Sequence, residues 1–250
     1  MNWKFYQQQY NNFLHAQRRQ GGFWRLWLTV MPLVPVLAYA LLGLLKLLPS
    51  DEQVPRYLYI MIGMTLWLLL SDALMKPASS ITRYKGYFIR QEIGFFTLLT
   101  AWLPERMLAL LMQIILCGSL VVYEVGVTLA NVTAFLLLML LGFVLFHLLG
   151  LIVAIISLMY PNFNNFVTTI NRFMLFVSGV IFPLPDGEIT HYLQIANPYY
   201  VFIDSARSSL FGIHIEWEVI GIWILVLIVL SGALMSMLQK VSPSIREFLQ

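Results

Sequence analysis

Long apolar runs separated by short polar segments organise this chain. A bilayer crossing needs about 20 predominantly apolar residues. Five runs meet that length: 26–48, 57–75, 103–123, 132–159 and 219–238. The fourth is long enough to tilt or to project beyond the bilayer. A sixth, 163–182, closes as FVTTINRFMLFVSGVIF and then breaks at Pro183, Pro185 and Gly187. The pattern predicts an all-α integral membrane protein of six transmembrane helices, one transmembrane domain over 1–250.

Three further segments carry helical signals without the length or apolarity to cross. At the N-terminus Trp3, Tyr6, Tyr10, Phe13 and Leu14 recur at helical spacing, with Gln7, Gln8, Asn11 and Asn12 between them. This predicts an amphipathic helix lying in the membrane interface over 1–22, ended by Gly21 and Gly22. After the second run, 76–92 reads KPASSITRYKGYFIRQE. Pro77 suits the first turn of a short helix. The segment reads either as a basic stop-transfer loop or as a docking helix for a cytoplasmic partner. In 183–212 the sequence ITHYLQIANPYYVFIDSARSSLFG is too polar and too interrupted to span, which predicts short broken helices before the last span. Asn197 and Pro198 form a helix start, Asn as N-cap and Pro at the first helical position. Tyr199, Phe202, Ile203, Ala206 and Leu210 then share an apolar face, and Asp204, Arg207 and Ser208 the other. Asp204 and Arg207 are three apart and able to pair. Gly212 is the stop. Irregular backbone at membrane depth is tolerated only inside protein or beside a water-filled cavity, so this stretch points to a pathway rather than an anchor.

Composition agrees. The chain is 60% hydrophobic and only 11% charged, against about 25% charged in soluble domains. With both termini cytoplasmic, 12 of 15 basic residues lie inside and only Lys46, Arg56 and Arg207 outside, as the positive-inside rule asks. The small net charge of +3 reads as topology, not nucleic-acid binding. The first apolar run follows a polar, aromatic stretch without a cleavage site and is expected to remain as a span.

Candidate chemistry is sparse. No GxxxxGK[ST] loop occurs, so ATP hydrolysis is expected in a separate subunit. No GxSxG elbow is present. His15, His147, His191 and His214 are scattered, and no metal site is expected; His214-x-Glu216 alone has even weak ligand spacing. His147, inside a span, is expected to bond to a neighbouring helix, and Cys117 to serve packing. Asp72 and Arg172 sit near the inner ends of spans. Such scarcity of buried charge argues against an ion-coupled carrier. Gly150 with Ala154, and Gly232 with Ser236, have the four-residue spacing of close helix packing, a weak pointer to a dimer.

The segment FVSGVIFPLPDGEITHYLQIANPYYVFIDSAR, with RRQGGFWRLWLTVMP before the first span, resembles the membrane subunits of ABC-type polysaccharide exporters, most of all those of capsular polysaccharide export. The shared landmarks are Phe182-Pro183-Leu184, Asn197-Pro198 and Arg207. The Arg-Asp-Ile-like motif that O-antigen relatives often carry before the fifth span is replaced here by Asn162-Phe163-Asn164-Asn165. The resemblance implies a homodimeric permease of the bacterial cytoplasmic membrane that pairs with ATPase subunits, which bind the ATP and Mg. It would move a lipid-linked glycan outward, in company with periplasmic export components. It assigns ATPase coupling to Thr82, Arg83, Tyr84, Lys85, Tyr87 and Arg90. It assigns a pathway or gate to Asn197, Pro198, Tyr199, Tyr200, Phe202 and Arg207. The flat aromatic faces suit sugar rings, and they equally suit an interfacial belt. The alternatives are an O-antigen, teichoic-acid, drug or lipid permease, and a non-transporting anchor or assembly factor.

Overall fold

The computed structural model describes residues 3–18, 30, 33–45, 55–90, 92–184 and 187–249. Among the described residues every regular element is helical. In chain order they are α1 (Trp3–Arg18), α2 (Leu33–Leu44), α3 (Arg56–Ile89), α4 (Phe95–Thr100), α5 (Leu103–Val125), α6 (Leu129–Met159), α7 (Pro161–Val177), α8 (Glu188–Ala196), α9 (Pro198–Phe211) and α10 (Trp217–Leu249). The protein is a multi-pass membrane protein, and among the described residues three helices are long and apolar enough to cross: α3, α6 and the Trp217–Leu238 part of α10.

Helix α3 is the central element. It packs most extensively on α6 and also receives α2, α4, α5 and α9. At 34 residues it is about 51 Å long, some 20 Å more than the hydrocarbon thickness. The expected break at 76–92 is therefore absent: the helix runs through Pro77 to Ile89. A proline inside a helix strips the carbonyl four residues earlier of its donor. Here that carbonyl belongs to Ala73, and His147 of α6 meets it. The His147 ring also stacks on Phe143 and lies 5.9 Å from Trp102, so it joins neighbouring helices as expected. Gly150, one turn further on, lets α6 approach the α3 backbone; a Cβ there would lie 2.7 Å from the Leu74 carbonyl oxygen. The Gly150–Ala154 pair thus serves packing within the chain, not a dimer seam, whereas nothing lies near Gly232.

Two further expectations change. The 163–182 run ends as a helix at Val177. At 17 residues, α7 is about 26 Å long, and it is not among the long apolar helices. In the first run, helix covers Leu33–Leu44, and 26–29, 31–32 and 46–48 lie outside the described residues, as do Gly21 and Gly22. The N-terminal helix forms, but its aromatic face divides. Phe5 and Tyr6 are buried while Trp3 is 72% exposed. Phe5 meets Tyr84 and Tyr87 of α3 edge-on at 6.1 and 5.6 Å, and Tyr6 hydrogen-bonds Thr100 of α4. One side of α1 is thereby committed to protein.

Candidate functional site

The site is the break between α7 and α8 together with α9, which caps it. Asn197 builds it from the sequence upward. Its Oδ1 accepts from the Tyr199 and Tyr200 amides at 3.0 and 3.5 Å, starting α9 at Pro198. Its Nδ2 donates backward to the Val177 carbonyl and to Ser178 Oγ at 3.3 and 3.0 Å. One side chain therefore caps α9 and ties it to the end of α7. Gly212 closes α9 in a left-handed conformation, with φ of 68°.

Past Val177 the chain turns at Gly179, whose φ of 62° is left-handed and costs little only without a Cβ. The Gly179 carbonyl accepts from the Tyr59 hydroxyl at 2.9 Å and from Arg207 Nη2 at 3.1 Å. The Ile181 carbonyl accepts from Arg56 Nη2 at 3.0 Å. The Arg207 guanidinium lies 3.5 Å above the Tyr59 ring centroid, and that of Arg56 lies 5.0 Å from it. Broken backbone away from water must find partners inside the protein, and α3 and α9 supply them. Gly63 makes the close approach possible: a Cβ there would sit 2.6 Å from Arg207 Nη2 and 2.8 Å from the Val180 carbonyl oxygen.

A second set of bonds leads along α7. The Tyr199 hydroxyl donates to Asn171 Oδ1, and Asn171 Nδ2 donates to Ser71 Oγ at 2.7 Å. Beside Ser71, Asp72 pairs with Arg106 at the start of α5. Phe202 packs against Gly142 of α6. The apolar-face reading of α9 needs correction here. The helix is buried nearly all round, with Arg207 at 3% exposure and Tyr199 and Phe202 at 4% and 3%, because α3 and α6 flank it on different sides. Tyr199 and Phe202 therefore offer no free ring face, and Tyr200 is half-buried.

The polar edge of α9 opens on a cavity of about 130 Å³ shared with α8 and the start of α10. Its wall includes His191, Tyr200, Asp204, Ser208, His214 and Glu216. Asp204 and Arg207 pair at 3.7 Å. Enclosure in protein pushes the Asp204 carboxyl above the ordinary carboxylate range, and Arg207 pulls it partway back. Among the described residues no cluster of three or more His, Cys, Asp or Glu is arranged to hold a metal ion.

The coupling candidates sit elsewhere, on the far part of α3. Thr82, Arg83, Lys85 and Arg90 are exposed, Tyr87 is half-buried and Tyr84 is buried. Arg90 lies over the Tyr87 ring and pairs with Glu92 at 2.8 Å. The two groups of candidates are thus separate in space and joined through α3.

The ABC-2 type transporter family matches residues 11–211, which covers α3 to α9 without interruption. The chain belongs to the ABC-2 type transporter membrane family. No curated protein matches it. As an ABC-2 permease the chain is the transmembrane subunit of a transporter whose ATPase is a separate partner. The sequence singled out Asn197, Pro198 and Arg207, which the structure brings to this break, but not Tyr59, Gly63, Asn171 and Ser71, which pack or bond around them. An Asn in the apolar second half of α7 and a Gly in an apolar helix were the available signals. Neither names its partner, since the partners lie more than 100 residues away in sequence for Tyr59 with Gly179.

Proposed function

We propose that this ABC-2 permease forms the channel of an ATP-driven exporter that moves a lipid-linked polysaccharide, of the capsular kind, outward across the bacterial cytoplasmic membrane. It works as a homodimer with two ATPase subunits. Both termini and the far part of α3 are cytoplasmic, six segments cross, and 183–212 lies at the outer exit. The observation that carries the reading is the pinned break. Irregular backbone after α7, buried and held by α3 and α9, is suited to a gate that must move without exposing carbonyls to lipid.

The length of α3 supports the coupling role. Its last turns, nearly four of them, extend beyond hydrocarbon depth if Arg56 marks the outer face, which presents Thr82, Arg83, Lys85 and Arg90 to a partner while Tyr84 and Tyr87 fasten α1. Helix α1 lies in the interface, with exposed Trp3 as anchor. Asn197, Pro198, Tyr199, Phe202 and Arg207 act as the framework of the gate, and Tyr200 faces the cavity where sugar would pass.

The test is reconstitution with the co-purified ATPase. Lipid-linked glycan should stimulate ATP hydrolysis and appear on the far side of proteoliposomes. Stimulation by drugs or simple lipids alone would assign a different substrate class, and failure to co-purify any ATPase would remove the transport reading.

A further inference from the structure

A second polar cavity, of about 80 Å³, lies between α3 and α5, apart from the gate. Lys76, Ser80 and Arg83 of α3 line it, with Trp102 and Arg106. Its volume would hold about five waters, space of the order of a small tetrahedral anion.

The wall is built of donors. Ser80 and Trp102 are 1% and 4% exposed, yet Ser80 Oγ and Trp102 Nε1 are buried with no hydrogen-bond partner. A buried donor left unsatisfied costs about 1–3 kcal/mol, so two at one cavity mark a place meant to be filled. Lys76 brings three N–H donors and no acceptor, and has no ionic partner among the described residues. Arg83 lies over the Tyr84 ring at 5.3 Å. Arg106 is held in place by Asp72. The indole N–H donates only. A ligand that satisfies these groups together must be rich in acceptors and negatively charged.

Depth narrows the choice. Lys76 is twenty residues along α3 from Arg56, about 30 Å and one hydrocarbon thickness. That is the level of lipid headgroups. We infer that this cavity binds a phosphoryl anion, presented either on a lipid or free in solution. Lys76 supplies charge, and Ser80 and Trp102 supply the directed bonds. The binding rests on the cavity alone. Only its use as the docking point of a lipid-linked substrate rests on the export reading.

The test uses the permease–ATPase complex in phosphate-free maltoside detergent. The probes are inorganic phosphate, dioctanoyl phosphatidic acid and, as the phosphate-free control, dioctanoylglycerol. Binding is read from the concentration dependence of thermal stability. Phosphatidic acid should stabilise the complex and dioctanoylglycerol should not. Lys76→Gln and Ser80→Ala should each weaken the apparent affinity at least about tenfold, as expected for losing a bond to a charged group. Without probe, Ser80→Ala and Trp102→Phe should leave stability unchanged or higher, because each removes an unsatisfied donor. A merely structural role would lower it. Competition by inorganic phosphate identifies the anion itself as the ligand, phosphatidic acid alone identifies a lipid source, and inorganic phosphate alone a soluble one. Equal stabilisation by dioctanoylglycerol, no stabilisation by either phosphate probe, or wild-type binding by the Lys76 and Ser80 variants overturns the proposal. Glycan-stimulated ATPase activity is measured in parallel. Its loss with binding intact removes only the export reading, and its persistence with binding absent removes only the cavity.

Discussion

Gly63→Ala puts the pinned break to a quantitative test. The added methyl would lie 2.6 Å from Arg207 Nη2 and 2.8 Å from the Val180 oxygen, where ordinary contact starts near 3.4 Å. The guanidinium cannot retreat freely: the Tyr59 ring lies 3.5 Å to one side and the Gly179 carbonyl accepts from it at 3.1 Å. Overpacking costs about 1–3 kcal/mol. Displacing the charged hydrogen bond adds about 1 kcal/mol in a membrane protein, where measured values reach about 1.7. The substitution should therefore destabilise by about 2–4 kcal/mol, or roughly 4–16 °C in Tm for a chain of this size. Arg207→Met removes the obstacle along with its charge. On that background only the Val180 contact remains, and Gly63→Ala should cost about 1 kcal/mol. The double-mutant cycle should thus show a coupling of about 1–3 kcal/mol. Tryptophan-fluorescence melting of the four purified proteins in detergent measures it. Strict additivity, or a single variant within 2 °C of wild type (about the smallest shift expected from 1 kcal/mol), would refute the close approach of α3 to Arg207.

Tyr199→Phe, which removes only the hydroxyl bonded to Asn171, should cost about 0.6 kcal/mol yet reduce export in the reconstituted assay; unchanged export would exclude a role for the α9–α7 link. Asp72→Asn should loosen the rim through loss of the Arg106 pair, and Asp72→Arg with Arg106→Asp should restore part of the Tm lost by either single reversal. Phe5→Ala empties a buried ring site against Tyr84 and Tyr87 and should destabilise by about 3 kcal/mol; limited proteolysis should then cut α1 first, and equal protection of α1 would contradict its packing on α3.

Much of the architecture was readable because membrane helices announce themselves by hydropathy. The Asn197-Pro198 start and the Gly212 stop were readable because capping is local chemistry. The continuation of α3 through Pro77 was not. Local rules treat an interior proline as a boundary, whereas here α6 brings His147 to the orphaned Ala73 carbonyl. The end of α7 at Val177 was hidden for the converse reason. Val180 and Ile181 are apolar and extend the hydropathy run, but the turn at Gly179 depends on donors from Tyr59, Arg56 and Arg207, all distant in sequence. Burial of both faces of α9 was likewise illegible, because Asp204, Arg207 and Ser208 read as a polar face until their partners are placed.

The Gly179 carbonyl takes two donors at once, one from each helix that flanks the break. Neither flank can let go singly, since the other still holds the same oxygen. Releasing both, with the stacked guanidinium, amounts to about 3 kcal/mol from two membrane hydrogen bonds and a desolvated cation–π contact. That is a bias of roughly a hundredfold. On the proposed export reading, one peptide oxygen would make the end of α7 a latch with two keys, opened only when α3 and α9 shift in concert.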